Sequence, residues 1–76
     1  MNPTGYLARV DGALVITDWR GGTLGPARIV TSWATPHSHV STRMYQVEAT
    51  LDGVTYTGRT AGMSMAWRGR PKKGTD

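Results

Sequence analysis

The feature that most constrains the fold is a run of alternating apolar and polar side chains over residues 45–60, interrupted once by Asp52-Gly53. Alternation with a period of two is typical of a β-strand with one buried face. Asp-Gly is a preferred two-residue turn between antiparallel strands because both turn positions adopt positive φ. With such a loop, Leu51 lies opposite Val54 and the apolar side chains of both arms share one face. The pattern therefore predicts a β-hairpin.

A second hairpin of similar design is predicted upstream, where Asp11-Gly12 separates residues 7–10 from residues 13–17. No helix is expected, because eleven Thr and ten Gly are spread through the chain and no apolar stripe of helical period persists for three turns.

The remaining segments predict one loop and two further strands. Residues 21–26 hold three Gly and one Pro, which indicates a loop. Residues 27–34 alternate and predict a third strand region, and residues 63–68 predict a final strand with Met63, Met65 and Trp67 on one side. The predicted fold class is all-β: a small antiparallel barrel or sandwich of about six short strands, the last four forming a meander.

The size of the chain predicts self-association. It has 76 residues, enough for one domain, with only 12 Leu, Ile and Val, and no Phe. The absence of Cys excludes disulfides and thiolate metal sites, two usual supports of small domains. Self-association or an unusually aromatic core must then supply the missing support, and we expect a homo-oligomer that buries apolar area between subunits. No segment is typical of a targeting or membrane signal, so the expected localisation is cytoplasmic.

The net charge of +4 is concentrated in the C-terminal part of the chain. Residues 1–58 balance four Arg against four acidic residues, whereas residues 59–76 hold five basic residues and one Asp. We divide the chain into a β domain, residues 1–67, and a basic tail, residues 68–76. Such a concentrated basic end is the footprint expected of phosphate binding. A solvated tail that keeps the domain soluble would have the same charge.

The tail resembles an AT-hook, a short minor-groove-binding element, in the order Arg68-Gly69-Arg70-Pro71 followed by two Lys. Narrow A-tract minor grooves carry an enhanced negative potential that favours inserted Arg. A glycine lets the backbone approach the groove floor, and the flanking lysines are placed to meet phosphates. The resemblance implies binding to AT-rich DNA, with Arg68, Gly69 and Arg70 as the groove readers.

One departure from the AT-hook pattern concerns its flank. Met65, Ala66 and Trp67 precede the motif, where basic or Pro residues are usual. Trp67 is therefore predicted either to anchor the hook to the fold or to stack near the sugar edge. Arg59 is predicted to join this surface if its strand and the final strand are antiparallel neighbours. The predicted nucleic-acid-binding residues are Arg59, Arg68, Gly69, Arg70, Pro71, Lys72 and Lys73.

A second resemblance covers residues 45–50, residues 52–59 and Gly62-Met63, which look like segments of small uncharacterised accessory proteins of actinobacterial phages. It implies a viral context, a non-structural helper role and a location in the host cytoplasm. Two alternatives to DNA binding remain open. One is a non-enzymatic protein-interaction module that self-assembles and binds or inhibits a host protein, and the other is a structural assembly protein.

Few residues are candidates for chemistry. His37 and His39 would lie about 7 Å apart on one side of an extended segment, but a metal site needs a third ligand. Nothing in the sequence builds an oxyanion site around Ser38. We therefore expect no catalytic residue, no metal, no cofactor and no enzymatic activity. Trp19 and Trp33 are predicted to lie in the core or an interface, with base stacking as the alternative.

Overall fold

A computed structural model describes residues 2–35 and 42–72 and places their seven strands in one antiparallel sheet. No helix is present in this part of the chain. The strands are β1 (Thr4–Val10), β2 (Ala13–Thr17), β3 (Thr23–Thr35), β4 (Thr42–Leu51), β5 (Val54–Thr60), β6 (Ala66–Arg68) and β7 (Arg70–Pro71). The sheet curls into a nearly closed barrel, so the all-β prediction is confirmed. The described residues contain no helix that is long and apolar enough to span a membrane.

The barrel closes through a bent segment, residues 66–71, which we name the closing segment. The strand order is β6-β1-β2-β3-β4-β5-β7, so the chain from β1 to β5 is a continuous meander. β6 pairs with β1, and β7, which follows after Gly69, pairs with β5. The closing segment thus joins the first strand of the meander to the last. The boundary predicted between residues 1–67 and residues 68–76 falls inside this segment.

Both Asp-Gly hairpins are confirmed. Asp11, Gly12, Asp52 and Gly53 have φ values of 51°, 83°, 52° and 76°, as a turn with two positive φ angles requires. Leu51 pairs with Val54 in the second hairpin, in the predicted register. The local turn chemistry therefore sets the pairing of four of the seven strands.

The predicted loop over residues 21–26 is partly wrong, because β3 already begins at Thr23. Gly25 pairs with Ile16 and Pro26 with Val15. A Cβ on Gly25 would lie 2.1 Å from the carbonyl oxygen of Thr50, so the missing side chain lets the end of β4 approach this strand. The composition of residues 21–26 does not distinguish a loop from a strand, because glycine occurs in loops and also in strands where another backbone approaches closely.

The predicted final strand over residues 63–68 is also shorter than expected. Only Ala66–Arg68 is a strand, and the preceding residues form a turn in which Ser64 has a φ of 63°. The backbone N–H of Ser64 donates to the carbonyl oxygen of Leu7 at 2.7 Å. Met63 and Met65 are therefore exposed rather than aligned with the buried Trp67.

The core lies inside the barrel and is small. Its buried cluster consists of Leu7, Ile16, Val47, Ala49 and Trp67. Trp67 is 1% exposed, and its indole N–H donates to the carbonyl oxygen of Val47 at 3.2 Å. Of the two roles predicted for Trp67, the structure therefore assigns it the anchoring one. The largest core side chain is supplied by the segment that closes the barrel.

Candidate functional site

The two arginines of the Arg-Gly-Arg-Pro motif project from the barrel on either side of Gly69. Trp67 and Gly69 are buried, whereas Arg68 and Arg70 are exposed. This alternation follows from the pleat of an extended chain, whose successive side chains point to opposite faces. Arg68 pairs with Thr4 of β1 and Arg70 with Thr57 of β5, so each arginine is held by a different edge of the meander.

Arg59, Arg68 and Arg70 line one cleft of about 430 Å³. The other residues of its wall are Gln46, Thr57 and Gly58. We name this site the arginine cleft. The sequence predicts that Arg59 and Arg68 share a surface, and the structure brings both to this cleft. The strand pairing assumed for that prediction is wrong, because β6 pairs with β1 and not with β5.

Two glycines permit the close approach that builds the arginine cleft. A Cβ on Gly58 would lie 2.2 Å from the carbonyl oxygen of Arg68, so the closing segment crosses directly over β5 at this position. A Cβ on Gly69 would lie 2.4 Å from Cη2 of Trp67 and 2.9 Å from Cβ of Tyr56. The backbone N–H of Gly69 also donates to the carbonyl oxygen of Pro3 at 2.8 Å. Gly69 is therefore a packing residue in the folded barrel.

The arginine cleft is strongly positive. Within residues 2–35 and 42–72, no carboxylate forms an ion pair with Arg59, Arg68 or Arg70. Three arginines that line one concave surface raise the local concentration of anions. Guanidinium groups also bind phosphate in a bidentate manner. The cleft is thus suited to an anionic ligand.

A second cleft of about 460 Å³ adjoins the first and is partly aromatic. Arg59 and Arg68 line both clefts, and the second also contains Tyr6 and Trp19. We name it the aromatic cleft. Its carboxylate, Asp18, accepts hydrogen bonds from the backbone N–H groups of Arg20 (2.9 Å) and Gly22 (2.8 Å). These bonds lie within one loop and occupy an oxygen of that carboxylate.

The three tryptophans have different environments. Trp19, predicted in the core or an interface, is outside the core and 74% exposed. Arg20 lies over its ring at 4.6 Å from the ring centroid. Trp33 is half-buried, and the guanidinium of Arg59 lies over it at 5.4 Å. One arginine–tryptophan contact of the cation–π type therefore lies at the aromatic cleft, and the other places the guanidinium of Arg59 over Trp33, which lines neither cleft.

Lys72, predicted to bind phosphate, is paired within the protein. Its Nζ lies 2.8 Å from Oε2 of Glu48, and Arg28 lies 3.1 Å from Oε1 of the same carboxylate. The hydrogen bond from Lys72, followed by that from Arg28, holds the pKa of Glu48 below its ordinary value of 4.5. We name these three residues the Glu48 cluster. The ion pair between Lys72 and Glu48 links the end of β7 to β4.

Of the other predicted site residues, Pro71 is exposed opposite Tyr56, and Lys73 lies outside the described residues. His37 and His39 also fall outside the described ranges. Among the residues the structure describes, no group of three or more His, Cys, Asp or Glu is arranged to hold a metal.

Sequence reasoning missed Gln46, Thr57 and Glu48. All three alternate outward in the second hairpin, which the sequence does indicate. Their proximity to Arg70 and Lys72 follows from the pairing of β7 with β5, and a two-residue strand has no periodic signal.

No known family model matches this chain, and neither curated proteins nor solved structures show significant similarity to it. The function is therefore inferred from the geometry and charge of the clefts.

Proposed function

We propose that this protein binds DNA through the arginine cleft, with Arg59, Arg68 and Arg70 as its contacts to the phosphate backbone. The observation that carries the proposal is that these three arginines line one outward cleft. No carboxylate of the described residues forms an ion pair with them. Polyanion binding by such a surface gains free energy from the release of condensed counterions.

The open form of the site favours a polymer over a small anion. The arginine cleft continues into the aromatic cleft through Arg59 and Arg68, which line both. A single phosphate would occupy only a fraction of this surface. A chain with regularly spaced phosphates would use all three arginines.

The AT-hook resemblance supports AT-rich DNA as the ligand, but the burial of Gly69 changes how the motif would act. In an inserted hook the glycine approaches the groove floor, whereas here it packs beneath Trp67. We therefore propose that Arg68 and Arg70 contact DNA from the folded barrel, with Gly69 setting the distance between them. The phage resemblance extends the proposal to an accessory factor acting in the host cytoplasm.

The test is a titration of labelled AT-rich and GC-rich duplexes of equal length, followed by fluorescence anisotropy at increasing salt. Wild-type affinity is expected to fall steeply with salt. The double variant R68A/R70A is expected to bind at least about tenfold more weakly, with a salt slope reduced by about two. Salt-insensitive binding, or equal binding by the double variant, would contradict the proposal. Preference for the AT-rich duplex would support minor-groove contacts by these arginines.

A second candidate function, self-association as a protein-interaction module, is favoured by the edge of β3. In the described part of the chain, β2 pairs with Thr23, Gly25 and Pro26 of β3, while residues 27–29 and 31–35 pair only with β4 and Val30 lies at a register shift. Residues 29–35 carry no charge, and Val30 is 47% exposed. An uncharged, open edge is a surface to which a strand of a second copy can add.

Self-association is tested by the dependence of the thermal midpoint on protein concentration. A midpoint that climbs with concentration in the wild type and stays constant in V30K would support pairing at this edge. A constant wild-type midpoint with a monomer mass by light scattering would exclude it. Capture of a host protein that survives nuclease treatment and the R68A/R70A substitutions would favour the protein-interaction module over DNA binding.

A further inference from the structure

Trp19 is presented to solvent by a rigid loop. The Asp18 carboxylate accepts two backbone N–H groups of this loop, and the backbone N–H of Asp18 donates to the carbonyl oxygen of Gly22 at 2.8 Å. The backbone N–H of Gly21 donates to the carbonyl oxygen of Asp18 at 3.0 Å. Four hydrogen bonds therefore fix five residues that include Trp19, whose large ring is exposed. Such fixation lowers the entropy cost of using that ring for binding.

Trp19 and the three arginines follow one another along the two adjoining clefts. Trp19 lines the aromatic cleft, Arg70 lines the arginine cleft, and Arg59 and Arg68 line both. A ligand that follows the two clefts meets an indole ring first, then two shared arginines, then a third arginine. Tyr6, 39% exposed, adds a second ring to the aromatic end.

We propose that the two clefts form one binding surface for a single-stranded nucleic acid, in which a base stacks on Trp19 while Arg59, Arg68 and Arg70 bind the backbone. The inference rests on the proposed function and specifies the form of its ligand. A ring face offered beside a positive groove is the arrangement that single-strand-binding proteins use.

The exposed indole favours a single strand over a duplex as the ligand. The bases of a duplex are stacked on one another, so their faces are closed to a protein ring unless a base pair is opened. The bases of a single strand can turn outward and stack on an aromatic side chain. Arg20 lies over the Trp19 ring, and the 74% exposure of this residue leaves surface for a base. DNA and RNA share this chemistry, and the experiment below distinguishes them.

The experiment compares three labelled ligands of one sequence: a single-stranded DNA, the same single strand as RNA, and the DNA duplex. Wild-type protein is expected to prefer the single strands. W19A is expected to weaken single-strand binding by roughly five- to a hundredfold, the effect of losing one base–aromatic stack. Its salt slope is expected to stay unchanged because Trp19 carries no charge. V54A removes apolar surface from another exposed side chain and is the matched control, with no change expected.

Tryptophan emission supplies a second readout that does not depend on affinity. Stacking on Trp19 is expected to quench part of the wild-type emission when unlabelled single strand is added. W19F keeps an aromatic ring and is expected to retain affinity within a few-fold while losing this quenching. Trp67 also lines the aromatic cleft but is 1% exposed, so the quenching assigned to Trp19 is the part that W19F loses.

The outcomes separate the inference from the proposed function. Arginine-dependent duplex binding, with no single-strand preference and no effect of W19A, would overturn the inference and leave DNA binding in place. Failure of every ligand to bind would overturn both. Tighter binding of the RNA would identify recognition of the 2′-hydroxyl, and tighter binding of the DNA its exclusion; with the W19A effect, either result supports the inference.

Discussion

Two clusters of basic side chains lie on the outer face of the barrel, and they differ in what opposes them. The arginine cleft gathers Arg59 and the arginines of the closing segment around polar side chains. The Glu48 cluster gathers Arg28 and Lys72 around one carboxylate that is largely shielded from solvent. Arg70 and Lys72 are two positions apart in the chain, yet each belongs to a different cluster.

A run of basic residues in the sequence is therefore not one electrostatic unit in the fold. Glu48 forms ion pairs with both neighbouring cations, so one of the two positive charges of the Glu48 cluster is compensated. The described residues leave the three guanidinium groups of the arginine cleft uncompensated. The first arrangement fastens a strand end, and the second attracts anions.

The largest effect is expected from G69V, which disrupts the packing of the closing segment. That segment positions Arg68 and Arg70 in one cluster and Lys72 in the other. The added Cβ would overlap the Trp67 ring, and the closing segment would no longer fit over Tyr56. We expect the free energy of unfolding in urea to fall by about 1–3 kcal/mol or more. G12A is the control: it has no atom within 4 Å of its Cβ, and only its positive φ of 83° costs about 1 kcal/mol. Wild-type stability in G69V would contradict the closure described above.

Two variants each remove one positive charge: R59A from the arginine cleft and R28A from the Glu48 cluster. R59A is expected to weaken nucleic-acid binding by about five- to tenfold and to lower the salt slope by about one, because Arg59 lines both clefts. R28A is expected to bind within about twofold of wild type. Equal losses in the two variants would show that only total charge matters.

E48Q is expected to blur the difference between the clusters. Without its carboxylate, Lys72 and Arg28 are no longer neutralised and become available to phosphates. We expect affinity for a labelled strand to rise by about two- to fivefold, with a salt slope steeper by about one. E48D keeps the charge and is the matched control. A loss of affinity in E48Q would mean that Lys72 must stay paired to hold β7 in place.

The smallest effect concerns acid stability. Because its partners lower the pKa of Glu48 in the folded state, the carboxylate contributes stability above its ordinary value of 4.5, and this contribution is lost as pH falls below that value. Between about pH 6 and about pH 3, wild type should therefore lose more free energy of unfolding than E48Q, by less than about 1 kcal/mol. The free energies of unfolding are measured by urea titration at each pH. An equal loss in the two proteins would show that the ion pairs contribute nothing.

Local sequence determines the hairpins of this protein. Asp11-Gly12 and Asp52-Gly53 set positive φ at both turn positions, and alternation along residues 45–60 sets the face that is buried. These patterns depend only on residues that are close in the sequence, so they can be recognised before the fold is known. The sequence also places the excess charge after Gly58 and indicates that Arg59 and Arg68 share a surface.

The arrangement of that charge follows only from the tertiary structure. β6 and β7 have three and two residues, too few for a periodic pattern, and their partners are the two edges that the meander leaves open. Their closure buries Gly69, directs Arg68 and Arg70 into a cleft with Arg59, and brings Lys72 to Glu48. The turn at Asp18 likewise leaves Trp19 exposed instead of placing it in the core. Contacts between residues far apart in the chain depend on which edges and spaces remain after the local strands have paired, and no local pattern encodes that choice.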